Sequence, residues 1–238
     1  TYLEFLGTHD VVTKLYNRAF YVDELNRIER KGIRPVTVIM VDLNGLKAIN
    51  DQWGHAVGDA LLRRAGEVLD EVVEKPSCAA RIGGDEFVIL SPYRGSKNEL
   101  SELAGHVIAR LCEPVGFESH ACRIGASIGI AHTADALIEA RQLLLNADIA
   151  LYRAKTQGRN RFEFFSVGLQ TDVVQTKQLS DEILYGIERG EFVPYYQLQF
   201  NAGDLSVAGV ETLARWQHPE RGLLTPEKFL KVAEDLDV

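Results

Sequence analysis

The stretch that most constrains what this chain can fold into is Arg81-Ile82-Gly83-Gly84-Asp85-Glu86-Phe87, running on into Val88-Ile89-Leu90. Apolar residues lead into a glycine pair, two adjacent carboxylates follow, and apolar residues resume. Two short strands joined through glycines read as a β-hairpin. Glycines at the bend let the backbone turn tightly and let a bulky ligand approach it. Carboxylates leaving such a bend suit a hard cation such as Mg²⁺, which takes oxygen ligands and often shares them with phosphate. A hairpin with a solvated acidic tip is the plainer reading of these residues alone.

A second constraint lies upstream. After Pro35 comes Val36-Thr37-Val38-Ile39-Met40-Val41, a nearly continuous apolar run. Such a run is the mark of a strand buried on both faces. It ends at Asp42. Packing explains an acid there poorly, and strand ends are where the sites of α/β sheets usually lie. If the hairpin pairs beside this strand, Asp42, Asp85 and Glu86 converge at one end of a sheet. That cluster is costly unless it surrounds divalent cations, which bind triphosphate and polarise the reacting phosphorus.

A cationic counterpart is needed, because the chain of 238 residues carries a net charge of −8. That charge also argues against non-specific nucleic-acid binding. The cluster is Arg153, Lys155, Arg159 and Arg161, with no acid among them. Lys155 and Arg159 stand one helical turn apart, where both reach one phosphate group. A solvated basic helix C-terminus is the alternative. Asn50 and Asp59 bracket a turn-rich stretch, Gly54 to Asp59. An amide with a carboxylate matches a guanine edge, and helix capping suits the same residue types. Lys47 is a phosphate ligand or a surface lysine, and His55 a hydrogen-bonding residue of its turn.

The rest of the pattern is ordinary for a globular protein, with 46% hydrophobic and 25% charged residues. No apolar run approaches the ~20 residues of a membrane span. Cys78, Cys112 and Cys122 form no CxxC pair and read as buried thiols of a reducing cytoplasm. The start at Thr1 rather than Met suggests a piece of a longer protein. Periodicity predicts a helix after the loop Asp10 to Tyr16, running to residue 31 with Phe20, Leu25 and Ile28 at helical spacing and stopped by Gly32. It predicts further helices from Asn44 to Gln52, from Leu61 to Val72, from Leu100 to Leu111, and from Ala136 to Lys155 with an interruption near Asn146. One or two strands fall in residues 114–131, and a final strand covers Arg161 to Phe165. This order argues for a mixed sheet backed by helices. Residues 166–177 are polar and weakly patterned and read as a linker. A helix from Leu179 to Arg189 and strands around Phe192–Phe200 and Leu205–Leu213 follow.

Taken together, these residues resemble the GGDEF domain of diguanylate cyclases. The resemblance rests on five separate motifs in order. They are Asp10 to Arg18; Asp42-Leu43-Asn44-Gly45-Leu46-Lys47 with Asn50-Asp51; Gly54 to Asp59; Arg81 to Phe87; and Ala147 to Lys155 with Gly158-Arg159-Asn160. It implies an α+β fold, a nucleotidyl-cyclase or palm-like mixed sheet flanked by helices. It further implies two Mg²⁺ (or Mn²⁺) ions on Asp42, the Leu43 carbonyl, Asp85 and Glu86. Asn50 and Asp59 would read guanine, Lys47, Lys155 and Arg159 would hold phosphates, and Gly84 would lie against the nucleotide. Asp42, Asp85 and Glu86 would be the catalytic acids, with Asp85 the proton acceptor. Two domains, each with one GTP, would meet as a homodimer to make cyclic di-GMP, with an upstream sensor domain in the parent protein. No nucleic acid and no direct membrane contact are implied.

Three departures stand out. Asn44 replaces a more usual Asp, removing one negative charge near the metals and implying weaker metal binding. Leu46 replaces a common Phe. Glu74 and Ser77 stand where many relatives carry the Arg and Asp of a product-inhibition site, so feedback through that surface is not expected.

Residues 178–238 resemble the start of an EAL phosphodiesterase domain, through Tyr195-Tyr196-Gln197, Gly209-Val210-Glu211-Thr212-Leu213 and Arg215-Trp216-Gln217-His218-Pro219. The resemblance implies metal ligand Glu211, phosphate contact Arg215, and Gln197 as part of a partial site. The segment is far shorter than the ~200 residues a TIM-like barrel needs, so hydrolysis by this chain is not expected. The resulting layout is residues 1–165 as a cyclase domain, 166–177 as a linker and 178–238 as a truncated EAL segment. The runner-up function is a GTP-binding module that regulates the phosphodiesterase after it.

Overall fold

The computed structural model describes residues 2–92, 96–117, 120–134, 138–236 and 238. The chain divides into two compact units, residues 1–170 and 171–238. Each is described by itself.

In the first unit the elements are α1 (Tyr2–Thr8), α2 (Arg18–Lys31), β1 (Val36–Asn44), α3 (Leu46–Trp53), α4 (His55–Val72), β2 (Cys78–Arg81), β3 (Glu86–Pro92), α5 (Lys97–Leu111), β4 (Val115–Phe117), β5 (His120–Cys122), β6 (Gly125–Thr133), α6 (Ala140–Thr156) and β7 (Phe162–Phe164). Five strands form one sheet in the order β2-β3-β1-β6-β7. Only the β6–β7 pair is parallel.

β1 is central, and its alternating side chains feed two cores. Ile39, Val41 and Leu43 pack with α4 and α5, while Val36, Val38 and Met40 pack with α2 and α6. That double burial is why the segment is apolar throughout. The strand runs past Asp42 to Asn44, two residues beyond the end read from the sequence. Asp42 is therefore a member of the α2/α6 face, in step with Val38 and Met40.

Several boundaries differ from the periodicity. On α2 the buried face is Tyr21, Leu25 and Ile28 rather than Phe20. Phe20 instead stacks on Tyr16 at 3.6 Å between ring centroids. Residues 115–133 hold three strands, the first two a small hairpin of their own. α6 begins at Ala140; the expected residues Ala136 and Leu137 lie outside the described residues. It runs unbroken through Asn146, because that buried amide accepts from Gln142 Nε2 at 3.0 Å instead of competing with the helix backbone. The cysteines are unpaired and half-buried. Burial pushes the Cys78 thiol up to about 11.

The stretch read as a linker is helical. α7 (Val167–Glu188) is opened by Ser166 Oγ accepting from the Leu169 amide at 3.2 Å. No Gly or Pro falls between Leu169 and Tyr185 to break it. Its first half is mostly solvent-exposed, so there was no apolar stripe to read. β8 (Phe192–Phe200), β9 (Val207–His218) and β10 (Gly222–Leu224) then form an antiparallel sheet, followed by α8 (Leu230–Asp235). The sheet has three strands and does not close into a barrel. Trp216 centres a small core with Ile183 and Phe229.

Gly129 fixes the seat of α6 on the sheet. A Cβ there would stand 2.0 Å from the Ala147 carbonyl oxygen and 2.3 Å from the Leu151 amide nitrogen. Gly129→Ala is expected to cost about 1–3 kcal/mol by overpacking against backbone, read as a lower midpoint in urea. A change below about 0.5 kcal/mol would contradict this packing.

Candidate active site

β3 pairs antiparallel beside β1, with Asp42 opposite Glu86, and the Leu43 amide donates to the Asp85 carbonyl at 3.0 Å. The hairpin is thereby locked against the end of β1. Asp42 is 6% exposed, and Lys155 from the last turn of α6 meets its Oδ2 at 2.6 Å. Burial pushes the Asp42 carboxyl above its usual range; Lys155 pulls it down, Asp85 pushes it up and Arg159 pulls it down, leaving it raised. The structure thus gathers Asp42, Asp85, Lys155 and Arg159 into one electrostatic cluster, although they come from three distant stretches of sequence.

Glu86 is turned back over the bend. A Cβ on Gly83 would stand 2.8 Å from its Oε2, so this glycine makes room for that side chain. Neither Gly83 nor Gly84 has a left-handed backbone, so the bend does not need their conformational freedom. Gly84 has open space where a Cβ would point. Among the described residues, no group of three or more His, Cys, Asp or Glu side chains is gathered closely enough to hold a metal ion. Carboxylate and carbonyl oxygens such as those of Asp42, Asp85, Glu86 and Leu43 are the donor type that a hard cation takes.

Asn50 and Asp59 do not bracket a loop. They lie on α3 and α4, with Gly54 alone as the corner, at φ 85° and ψ 162°. Neither caps a helix; the cap positions are Gly45 and Gly54. His55 opens α4 rather than belonging to a turn. Asn50 Oδ1 is buried without a hydrogen-bond partner and occupies the space left by Gly58, 1.9 Å from where a Cβ would be. Asp59 and Lys47 are exposed. Ser77 is buried, its hydroxyl 2.7 Å from that of Ser91.

Two supporting side chains carried no assigned role in the sequence. The Arg81 guanidinium donates to the Gly84 carbonyl at 2.7 Å and the Gly83 carbonyl at 3.1 Å, and meets Asp10 at 3.2 Å. Asp10 in turn accepts from the amide and hydroxyl of Thr13, both at 2.8 Å. The available signal was the Asp10–Thr13 spacing of an Asx turn together with an arginine entering the hairpin.

In the second unit, Gln197 and Glu211 are direct cross-strand partners and Arg215 follows on along the same face of β9. The Arg215 guanidinium lies 5.7 Å from the centre of the Tyr195 ring between them. No helix among the described residues is long and apolar enough to cross a membrane.

Comparison with known families is decisive on kinship. Residues 7–161 match the family model described as "Diguanylate cyclase, GGDEF domain", and residues 177–238 match that of the EAL domain. The chain belongs to the GGDEF family. Part of an EAL domain follows the GGDEF domain. The bifunctional diguanylate cyclase/cyclic di-GMP phosphodiesterase MucR of Pseudomonas aeruginosa is 38% identical over 96% of this chain and 34% of its own length. The chain spans about a third of the length of the curated relatives it matches. Among solved structures, the GGDEF domain of PA1120 from Pseudomonas aeruginosa superposes with a TM-score of 0.63 at 30% identity, covering 69% of this chain and 98% of that one. The coiled coil and GGDEF domain of DgcB from Caulobacter crescentus, in complex with c-di-GMP, gives 0.63 at 28% identity, covering 68% and 88%.

The Asp10–Arg81 link generates a pH prediction. Burial raises the Asp10 carboxyl, but the Thr13 hydrogen bonds and Arg81 outweigh it and hold it below the ordinary value. A depressed carboxylate stabilises the fold above its unfolded-state pKa of about 4, and that stability is lost as pH falls through the lower folded value. Asp10→Asn should therefore lower the melting temperature at pH 7 and narrow its gap to wild type below pH 4. A gap constant with pH would contradict the assignment.

Proposed function

We propose that this chain carries a diguanylate cyclase domain that condenses two GTP into cyclic di-GMP and two pyrophosphates. The observation that carries this reading is the Asp42–Asp85–Lys155–Arg159 cluster beside an open glycine bend. In this reading Lys155 exchanges the Asp42 carboxylate for a phosphate oxygen as GTP arrives, and Arg159 grips the same triphosphate. Asn50 and Asp59 read the guanine edge, and Lys47 supports the phosphates. Asp42, the Leu43 carbonyl, Asp85 and Glu86 would hold Mg²⁺ or Mn²⁺. Such ions neutralise charge on the attacking and leaving oxygens of an in-line displacement.

The 3′-hydroxyl oxygen of one GTP forms a bond to the α-phosphorus of the other, and the α–β anhydride bond breaks. Pyrophosphate leaves, and Asp85 takes the hydroxyl proton. A second, reciprocal step closes the ring. One domain holds one GTP, so two copies must face each other to bring the reactants into attack geometry.

A second reading keeps GTP binding without turnover. It is favoured by the absence, among the described residues, of a three-acid cluster and by the engagement of Asp42 with Lys155. On that reading the domain regulates an EAL phosphodiesterase in the parent protein.

The test is magnesium-dependent turnover by the whole chain over a concentration series. Cyclic di-GMP should form with specific activity rising with protein concentration, and Asp85→Ala should lower it by about 10²-fold or more. Gly84→Ala meets nothing within 4 Å in the protein, so it should leave stability within about 1 kcal/mol of wild type yet reduce turnover. Tight GTP binding with no product would favour the regulatory module. No GTP binding at all would overturn both readings.

A further inference from the structure

We infer that Asn44 is a positioning residue that fastens the turn carrying Arg159, so the grip on the triphosphate depends on a side-chain hydrogen bond at the end of β1. This rests on the reading of Arg159 as a phosphate contact. Asn44 is the last residue of β1, paired with Gly125 at the start of β6. Its amide is engaged on both sides. Nδ2 donates to Asn160 Oδ1 at 2.9 Å, and Oδ1 accepts from the hydroxyl of the fully buried Ser127 at 3.1 Å. Asn160 reaches this position because Gly125 has no side chain; a Cβ there would stand 1.7 Å from Asn160 Oδ1.

The turn so held is one the chain would not adopt unaided. Gly158, Arg159 and Asn160 have φ of 114°, 57° and 48°. Two consecutive left-handed residues that are not glycine persist only where the surroundings over-determine them. Backbone bonds hold each side, with the Arg159 amide donating to the Ala154 carbonyl at 3.1 Å and the Ile128 amide donating to the Arg161 carbonyl at 2.9 Å. Asn160, docked into Asn44 and Gly125, adds a side-chain hold between them. Arg159 is near enough for its charge to act on Asp42, so its backbone setting decides where its guanidinium stands in the site.

Position 44 thus acts through the hydrogen bonds of its side chain rather than through its charge alone. A side chain without a polar end would leave Asn160 and the Ser127 hydroxyl without this partner.

The test measures affinity of the whole chain for α,β-methylene-GTP and, separately, for guanosine. Gly125→Ala removes no polar side chain but displaces that of Asn160. It should weaken the triphosphate about three- to tenfold, the range of one hydrogen bond, with guanosine unchanged. Asn44→Ala should do the same. Gly125→Ala should cost nothing further in an Arg159→Ala or an Asn160→Ala background. Equal losses for guanosine, an undiminished loss in the Arg159→Ala background, or no loss would each overturn the fastening. If wild type binds no α,β-methylene-GTP, or Arg159→Ala binds it as wild type does, the functional reading beneath it fails instead.

Discussion

The contact on which the rest of the site depends is the one between Lys155 and the buried carboxylate of Asp42. An acid on the inner face of a central strand must be paired, because desolvation of an isolated carboxylate costs more than packing can return. The lysine that pairs it comes from the far end of a helix lying across that face. The helix reaches this place because Gly129 lets its backbone approach β6 directly. The lysine neutralises only part of the local charge, since Asp85 stands near enough to push the Asp42 carboxyl up. Arg159 adds a second positive charge acting on the same carboxyl.

Glycines carry much of the geometry, and for a different reason from the one usually given. Gly83, Gly58, Gly125 and Gly129 have ordinary backbone angles. Each is required because another group fills the space of its missing side chain: Glu86, Asn50, Asn160 and the backbone of α6 respectively. Glu86, Asn50 and Asn160 are thus set in sockets made by absent Cβ atoms. Gly54, at the corner between α3 and α4, is the contrasting case, where the left-handed angle itself is needed.

What was legible in the sequence followed from local pattern. The hairpin, the doubly buried strand and the basic helix end were all visible, while the pairing of hairpin with strand entered only as the condition under which the acids converge. The approach of Lys155 and Arg159 to Asp42 was legible only through the resemblance, since no periodicity links residues so far apart. The link Asn44–Asn160 was not legible, because it is a side-chain pairing between distant segments with no spacing rule, and of the Arg81–Asp10 link only the local Asp10–Thr13 spacing was there to read. The first half of the helix over residues 167–188, read as a linker, was missed for another reason: an exposed helix needs no apolar stripe. Asn44 read as a missing charge, whereas its amide is occupied on both sides.

The account's central claim is that the Asp42–Lys155 pair is the resting form of a cation and triphosphate site. The most direct measurement is a crystal structure of the chain with Mn²⁺ and α,β-methylene-GTP, with anomalous scattering to locate the metal. The account predicts manganese bound to the carboxylates of Asp42 and Asp85, with Lys155 Nζ transferred to a phosphate oxygen. An intact Asp42–Lys155 pair with the nucleotide bound, or manganese bound elsewhere in the fold, would contradict it.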